Sequence, residues 1–587
     1  VYFGSSADDQ VHCLEAATGK VRWTFFTDGP VRYAPVLHNG RVFAGSDDGW
    51  VYCLDAEHGG LIWRARCSPD DLRVSGNGRM ISAWPVRTGL VVLDGRVFVL
   101  AGLYPSQGVY ACSFDAEDGS LVWREGLDTY SPQGYLMASA SRLYVPTGRT
   151  DPIALDRRTG KFVQAYSGVG GTYALLAGDT LVAGRGNDGT LVSSDADTGD
   201  RLVSITGKQL VVTSHRSYLL DGTHLSAIDR VRFSEVSRRM VLLQKDRNRV
   251  QTLLKKAESE VLKTRHAAEL GRLTSEIEGL EVARKACQLW RVPCRGDASL
   301  ILAGESLVVG GVDSVELFSA INGGRIHSIR VEGRAVGLAA ADDRLIVSTD
   351  RGVLHAIGDV SKSELSVVHQ SSQETMDKKP LMRSSAAGAD FEQVVRILAG
   401  SKGYGLVLGA KNETLIKRLV DQTFLKLVVI DPDPGEVARL RSVLRSTGHY
   451  GTRVSVHRVD SGPLPFTDYF ANTIVDLDGK DPGGGGSWSE EEIQRVLRPF
   501  GGLLWRAPFD LPSVRGALPG AGEWTHLYAN TGNTASTDDQ WIHEDLALQW
   551  FGGPGPRRMV DRHLRAPAPL VANGRLFIMG ENTVIGV

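Results

Sequence analysis

The thirteen residues 51–63 read VYCLDAEHGGLIW and carry the signal that decides the fold. An apolar strand runs into Asp55, a tight turn reaches Gly59, and a second apolar run places Trp63 eight residues after the aspartate. An aspartate side chain can cap such a turn, and glycine can adopt the positive φ that closes it. The stretch therefore predicts two antiparallel strands joined by a short corner, with a tryptophan free to pack between sheets.

This corner recurs along the chain. Copies carry glycines at positions 19, 59, 119, 160 and 199, and a weaker copy ends at position 323. Three of the four intervals between the first five glycines are about 40 residues long. Together with the short apolar strands, this period fits the four-stranded blade of a β-propeller. Residues 1–228 are therefore predicted to form propeller blades.

One copy is interrupted. Its strand ends at Asp229, but the expected tryptophan appears only at Trp290, far beyond the spacing of the other copies. The intervening segment lacks proline, is rich in Lys, Arg, Glu and Leu, and has apolar residues at three- and four-residue spacings. Since both ends must return to one sheet, residues 229–290 are predicted to form an antiparallel coiled-coil hairpin that projects from a blade turn.

Blades are expected to continue through residues 291–360. Counting the interrupted copy gives seven corners, and residues 344–357 look like the opening strands of an eighth unit. We therefore expect a seven- or eight-bladed propeller.

The corners, with their Asp-x-x-Thr-Gly and Trp residues, resemble the pyrroloquinoline-quinone-type repeat of quinoprotein-like and BamB-like propellers over about residues 1–360. In quinone-dependent dehydrogenases that family pattern adds a vicinal cysteine pair and an acidic calcium site. This sequence has no adjacent cysteines, so the resemblance implies a non-enzymatic propeller without bound quinone. It also implies protein partners, which the propeller loops and the helical hairpin would contact, and it favours the periplasm or cell envelope.

A different pattern follows a polar linker at residues 361–388. Residues 389–510 alternate strands and helices, which predicts a Rossmann-like α/β domain with a parallel, doubly wound sheet. Such sheets bind ligands beyond the carboxyl ends of their strands. The candidate cofactor-binding residues at these ends are Gly409, Asp431, Asp460 and Asp476.

This layout resembles class I S-adenosylmethionine-dependent methyltransferases. The resemblance implies that Gly409 lets backbone approach the ligand, and that Asp431 accepts from ribose and Asp460 from an adenine amino group. Asp476 would face the reacting centre. The family's Gly-x-Gly-x-Gly loop reads Gly409, Lys411, Glu413 here, so two glycines are lost. We therefore expect a degenerate domain carried by a non-enzymatic scaffold. The alternative is an S-adenosylmethionine-dependent methyltransferase whose propeller recruits the substrate.

Asp431 has a second interpretation that involves no ligand. Pro434 lies where the next helix should begin, so Asp431 could simply be the N-cap of that helix.

The last stretch, residues 523–587, is predicted to return to propeller strands. Asn573 to Phe577 repeat the turn-and-strand signal of Asn39 to Phe43. These strands either complete the first propeller or begin a second one. Both ends of the chain look like strand interiors, so we expect a fragment of a longer protein.

The remaining features limit the function classes. A net charge of −2 and a pI of about 6.8 give no excess of basic residues for nucleic acid, and no apolar run approaches a membrane span. Six scattered cysteines do not form a disulfide scaffold or a zinc site. Cys287 and Cys294, which flank Trp290, could pair if the compartment is oxidising, and otherwise stay free. Together these features predict a multidomain, mainly β protein with catalytic residues unassigned and no metal site.

Overall fold

The computed structural model is mainly β. It describes the whole chain except residues 149, 168–169, 172, 185–188, 359–388, 478–487, 507–508, 510, 544–545, 553–567, 581–582 and 587. The predicted linker at 361–388 lies outside the described residues.

Up to residue 358 most strands form antiparallel sheets in which each strand pairs with the next one along the chain. The opening sheet has three strands, Tyr2–Ser5, Gln10–Leu14 and Val21–Phe26. Five four-stranded sheets follow: Val36–His38, Arg41–Gly45, Trp50–Asp55, Leu61–Arg66; Val91–Leu93, Arg96–Ala101, Tyr110–Asp115, Leu121–Gly126; Met137–Ala138, Arg142–Val145, Ile153–Asp156, Phe162–Ala165; Tyr173–Ala177, Thr180–Gly184, Thr190–Asp195, Arg201–Thr206; and Gln209–Val212, Arg216–Leu220, His224–Asp229, Gln288–Pro293. A six-stranded sheet closes this region: Ser299–Ala303, Ser306–Gly310, Val312–Ser319, Arg325–Ala341, Arg344–Thr349 and Leu354–Gly358.

The tryptophan of each well-formed corner packs on the glycine of the next corner. The indole N–H of Trp23 donates to the carbonyl of Ala56 at 3.1 Å, and a Cβ on Gly59 would lie 2.5 Å from its ring. Equivalent contacts join Trp63 with Ala116 and Gly119, and Trp290 with Ile321 and Gly323. The repeat therefore links neighbouring sheets as well as closing each turn.

The one long interval between the early corners, from Gly59 to Gly119, contains an extra β-hairpin of strands Arg73–Gly76 and Arg79–Ser82. A disulfide between Cys67 and Cys112 joins the chain just before this hairpin to the following sheet. Of the two possibilities for Cys287 and Cys294, the structure shows the unpaired one, because both are free, buried thiols. A short parallel pair, Thr88–Gly89 with Gly134–Tyr135, and a 3-10 turn at Pro105–Gln107 complete this part.

Two helices, Arg230–Lys256 and Glu260–Lys285, lie between strands His224–Asp229 and Gln288–Pro293. Asp229 caps the first helix by accepting from the N–H of Arg232. Ion pairs of Arg238 and Lys245 hold the first half of this helix against the preceding sheet. That the segment is a coiled coil projecting from a blade turn stays a prediction. No helix among the described residues is long and apolar enough to cross a membrane.

The α/β region forms a six-stranded sheet, and four helices lie between its strands along the sequence. The strands, in spatial order, are Val454–Arg458, Phe424–Asp431, Lys402–Leu408, Thr473–Asp476, Leu503–Arg506 and Ser513–Val514; the first five are parallel and the last is antiparallel. The helices are Ala389–Leu398, Glu413–Gln422, Pro434–Arg445 and Glu490–Val496. The strand order reverses at the pair Lys402–Leu408 and Thr473–Asp476, which is where such sheets form a crevice.

The final stretch contributes to two places. Trp550–Phe551 pairs in parallel with the inserted hairpin at Ser75 and Gly76. Strands Leu570–Ala572, Arg575–Gly580 and Thr583–Gly586 form a separate antiparallel sheet. Whether this sheet completes a propeller or begins another stays a prediction.

Candidate functional sites: a strand-end cleft, a buried ionic junction and an apolar arc

A cleft of about 620 Å³ opens at the point where the strand order of the α/β sheet reverses. Gly409 and Leu477, which directly follow the two central strands, lie on its wall. Phe391 and Phe509 form an aromatic side, with ring centroids 5.0 Å apart. The first turn of helix Glu413–Gln422 supplies polar groups to the lining. The cleft therefore has both aromatic and polar lining residues.

Asp431 does not lie in the lining of this cleft. Its side chain is buried, and its two carboxylate oxygens accept from the N–H groups of Ala410 at 2.7 Å and Asp433 at 2.8 Å. The carboxylate thus ties the loop after the first strand to the end of the second. The N-cap interpretation is wrong, because Asp433 caps helix Pro434–Arg445 by accepting from Gly435 and Glu436.

The other predicted ligand residues are distributed around the same sheet edge. Gly409 lines the cleft with φ +98°, a conformation that favours glycine. Asp476 is buried and accepts from Nε of Arg506 at 3.2 Å, whereas Asp460 is exposed and pairs with Arg458 at 3.0 Å. Neither aspartate lines the cleft. Their role in cofactor binding stays a prediction.

Side chains occupy the loop positions where the methyltransferase pattern has glycine. Glu413 accepts from Lys417 at 2.7 Å and from Arg439 at 3.1 Å. The Lys417 hydrogen bond, together with the nearby charges, holds the pKa of Glu413 below its ordinary value. Arg439 also donates to the carbonyl of Ala410 at 3.1 Å. This loop is therefore fixed by ion pairs, and Lys411 and Glu413 line the cleft.

A second cluster lies where the α/β region meets the first sheets of the chain. Arg441 donates to Asp28, and Arg73 of the inserted hairpin approaches the other oxygen of Asp28 at 3.7 Å. Nη1 of Arg73 lies 2.9 Å from Nδ1 of His457. These four side chains are only between 1% and 13% exposed, and we call this cluster the ionic junction.

The charges of the ionic junction shift the pKa values of its members. Burial would raise the pKa of Asp28, but the charges of Arg441 and Arg73 and hydrogen bonding with His457 bring it well below its ordinary value. Burial lowers the pKa of His457 to about 4. Burial and the negative charge of Asp28 raise the pKa of the neighbouring Asp48 to about 6. At neutral pH the junction thus pairs one carboxylate with two guanidinium groups around a neutral imidazole.

The junction has the residue types of a hydrolytic triad but not its proton arrangement. His457 Nε2 lies 2.8 Å from the hydroxyl of Ser455, and Nδ1 lies 3.9 Å from Asp28. Arginine can only donate, so the Arg73 contact requires Nδ1 to be the acceptor and places the ring proton on Nε2. That nitrogen then donates to Ser455 and cannot take its proton, as a triad histidine must. The junction is therefore a structural contact, and no sequence motif marked it.

A third feature is a row of exposed apolar residues on three successive sheets. The first two residues of the last strand in each sheet are apolar and between 40% and 48% exposed: Leu61 and Ile62, Leu121 and Val122, Phe162 and Val163. The first member of each pair has the same register, opposite the last apolar residue before the corner aspartate. In two later sheets this register position holds Arg201 and Arg325. We call the three pairs the outer arc.

A quinone site of the dehydrogenase type would need an acidic calcium site and a pair of adjacent cysteines. Within the described ranges, no group of three or more His, Cys, Asp or Glu side chains is arranged to hold a metal ion. The one disulfide of these ranges joins cysteines 45 positions apart rather than neighbours. The described residues therefore do not fit the calcium and vicinal-cysteine pattern of the quinone dehydrogenases, and the absence of quinone stays a prediction.

Comparison with known proteins places the first part of the chain near one repeat family. The family described as outer membrane protein assembly factor BamB matches residues 1–109 and 107–238. BamB of Yersinia pestis is 25% identical over 155 residues, covering 26% of this chain and 36% of that protein. The dehydrogenase subunit of a quinone alcohol dehydrogenase from Komagataeibacter europaeus is 26% identical over 169 residues, covering 25% of this chain and 22% of that protein. The matched stretch thus spans well under half of each relative.

Solved structures are similar at lower identity. BamB from Moraxella catarrhalis is 14% identical with a TM-score of 0.38, covering 60% of this chain and 95% of that chain. Quinohemoprotein alcohol dehydrogenase from Comamonas testosteroni is 14% identical with a TM-score of 0.38, covering 59% of this chain and 68% of that chain. It is the family match that makes residues 1–238, which carry the first five glycine corners, similar to the BamB-type family of β-propeller repeats.

Proposed function

We propose that this protein is a non-enzymatic scaffold of the cell envelope that binds a protein partner along the outer arc. In this proposal the α/β region is a degenerate methyltransferase-like domain, fixed to the scaffold by the ionic junction. The single observation that carries the proposal is the outer arc itself. Apolar pairs recur at one register on three outer strands and are between 40% and 48% exposed, and exposed apolar surface is typical of a protein interface.

The geometry of the outer arc also suggests how a partner would bind. Each pair lies on the last strand of its sheet, so unpaired backbone groups accompany the apolar side chains. Such an edge can accept an additional strand, whose main chain gives affinity and whose side chains contact the exposed pairs. The similarity of residues 1–238 to a family named for outer membrane protein assembly supports both a protein partner and an envelope location. The Cys67–Cys112 disulfide supports an oxidising compartment.

Site-specific photo-crosslinking in the cells that produce the protein tests this function. A photoreactive amino acid at Ile62 or Val122 should give one protein adduct, identified by mass spectrometry. The matched control is Leu37, which is 57% exposed but lies on the first strand of its sheet. Leu61→Lys combined with Phe162→Lys should remove the adduct at Val122. Equal labelling at Leu37, or an adduct insensitive to the two lysines, would refute the outer arc as the partner site.

A second candidate, S-adenosylmethionine binding with the propeller recruiting a substrate, is favoured by the cleft at the strand-order reversal. Against it stand the buried, already bonded Asp431 and the charged loop at Lys411 and Glu413. Calorimetric titration with S-adenosylmethionine separates the two. The scaffold proposal expects no heat of binding. Micromolar affinity that Lys411→Glu abolishes, with the fold unchanged, would favour the enzyme; Lys411 is the better probe because removing Asp431 would also release the loop.

A further inference from the structure

The first hairpin helix, Arg230–Lys256, is the most basic segment of a chain whose net charge is −2. It holds nine Lys and Arg residues against two acidic ones. In the half of the helix near the sheet, the basic side chains form ion pairs with aspartates of the preceding sheet. Arg238 pairs with Asp179 and Asp195, and Lys245 pairs with Asp200 at 2.7 Å. These bonds hold the near half of the hairpin against the preceding sheet.

Beyond Lys245 the helix continues to Lys256, about 16 Å further at 1.5 Å per residue. In this part of the described structure the side-chain hydrogen bonds stay inside the hairpin, as from Thr252 to Asn248 and from Thr264 to Glu260. The far end of the hairpin therefore extends past the sheet that supports its base. We call residues 249–265 the hairpin tip.

The hairpin tip exposes apolar side chains next to basic ones. Val261 is 78% exposed, Leu253 45% and Leu262 44%. Among the described residues Lys255, Lys256 and Arg265 form no ion pair, although their side chains are exposed. Residues 249–265 hold five Lys and Arg residues against two acidic ones, Glu258 and Glu260, so the tip combines exposed apolar side chains with a net positive charge. This combination fits a partner that has an apolar interior and an anionic surface.

The size of this surface indicates whether its partner is a protein or a lipid bilayer. A stable protein interface needs about 800 Å² from each partner, which three apolar side chains at a turn do not supply. A bilayer needs only a few apolar side chains that enter the headgroup region, with Lys and Arg attracted to anionic lipid at about 1 kcal/mol each. We infer that the hairpin tip docks on an anionic membrane surface, inserting Val261 and Leu262 while Lys255, Lys256 and Arg265 contact lipid phosphates.

This inference does not depend on the outer arc, and vesicle flotation with the full chain tests it directly. Vesicles of equal parts phosphatidylglycerol and phosphatidylcholine should carry the protein upward at low salt, whereas pure phosphatidylcholine vesicles should not. Val261→Asp with Leu262→Asp should lower the partition at least about tenfold, because both apolar insertions are lost. Lys255→Glu with Lys256→Glu should lower it about tenfold at low salt, and the difference should shrink as salt is added.

Leu242→Asp is the matched control, since Leu242 is 61% exposed on the same helix but lies outside the hairpin tip. Its partition should equal that of the wild type, and circular dichroism should show the same helix content for all variants. Absence of flotation with anionic vesicles, or an equal loss from Leu242→Asp and from the tip variants, would overturn the inference. Binding of an acidic protein to the tip with no vesicle binding would overturn it as well.

Discussion

Arg441, on helix Pro434–Arg445, donates a guanidinium hydrogen bond to the carboxylate of Asp28, which precedes it by 413 residues. Asp28 follows the last strand of the opening sheet, so this contact joins segments that are far apart in the sequence. Nε of Arg441 also donates to the carbonyl of Val456 at 2.9 Å, which fixes the arginine on its own domain. The α/β region is thus attached to the first sheets through a buried, oriented charge pair.

Arg441→Met should destabilise the protein by about 3–5 kcal/mol, because it leaves the buried carboxylate of Asp28 with only part of its compensating charge. Denaturant unfolding measures the change. Arg351→Met is the control, since Arg351 and its partner Glu332 are 61% and 63% exposed, and surface pairs contribute about 0–1 kcal/mol. Adding Asp28→Asn to Arg441→Met should recover part of the loss, because the two residues interact directly. Strictly additive effects would show that the pair does not couple.

The pH dependence of stability should carry the signature of His457. Its folded pKa of about 4 lies below the ordinary value of 6.5, so the unfolded chain binds more protons between these values. The stability that neutral His457 contributes is complete above pH 6.5 and is lost as the pH falls toward 4. Asp48, with its pKa raised to about 6, changes stability in the opposite direction but is common to wild type and variant.

The stability advantage of the wild type over His457→Gln should therefore shrink as the pH is lowered from 6.5 to 4. Unfolding free energies measured at closely spaced pH values give this difference. It should be constant above about pH 7.5, which serves as the internal control. A difference independent of pH throughout would mean that His457 takes up its proton equally in the folded and unfolded states.

The Cys67–Cys112 disulfide should stabilise the native chain by about 4 kcal/mol, the chain-entropy value for a loop of its length. Replacing both cysteines with alanine should lower the midpoint of thermal unfolding. Reductant should lower the midpoint of the wild type by a similar amount and leave the double variant unchanged. Peptide mapping without reduction should recover residues 67 and 112 in one linked fragment, and a linked fragment of 287 and 294 would contradict the structure.

Gly59 and Gly40 provide a matched pair for testing the inter-sheet contact. Both have nearly the same positive φ, +74° and +72°, so alanine costs about 1–2 kcal/mol of backbone strain at either position. Only at Gly59 would the new methyl group meet the ring of Trp23. Gly59→Ala should therefore cost an additional ~1–3 kcal/mol over Gly40→Ala in denaturant unfolding. Equal losses would show that the Trp23 ring can move away freely.

The sequence alone was sufficient for features that depend on neighbouring residues. The corner at Asp55 and Gly59 could be predicted from the sequence because a turn is capped, and its positive φ is supplied, by the residues of the turn itself. The segment after Asp229 showed helical spacing for the same reason, and the strand ends at Gly409 and Asp431 could be located from short apolar runs. What these patterns could not show was which side chains face a cleft: Asp431 accepts from its own loop at Ala410 and Asp433, and its role as a ligand residue stays a prediction.

By itself, then, the sequence determined the periodic sheets and the order of strands and helices, because backbone preference and side-chain spacing act over a few residues. Only the tertiary structure decided that Asp28 meets Arg441, that Cys67 rather than Cys287 forms a disulfide, and that Arg73 sets the proton of His457. Each of these contacts joins side chains that are brought together by packing of whole sheets. Nothing in the residues beside them differs from an ordinary surface or core position, so no local pattern could reveal them.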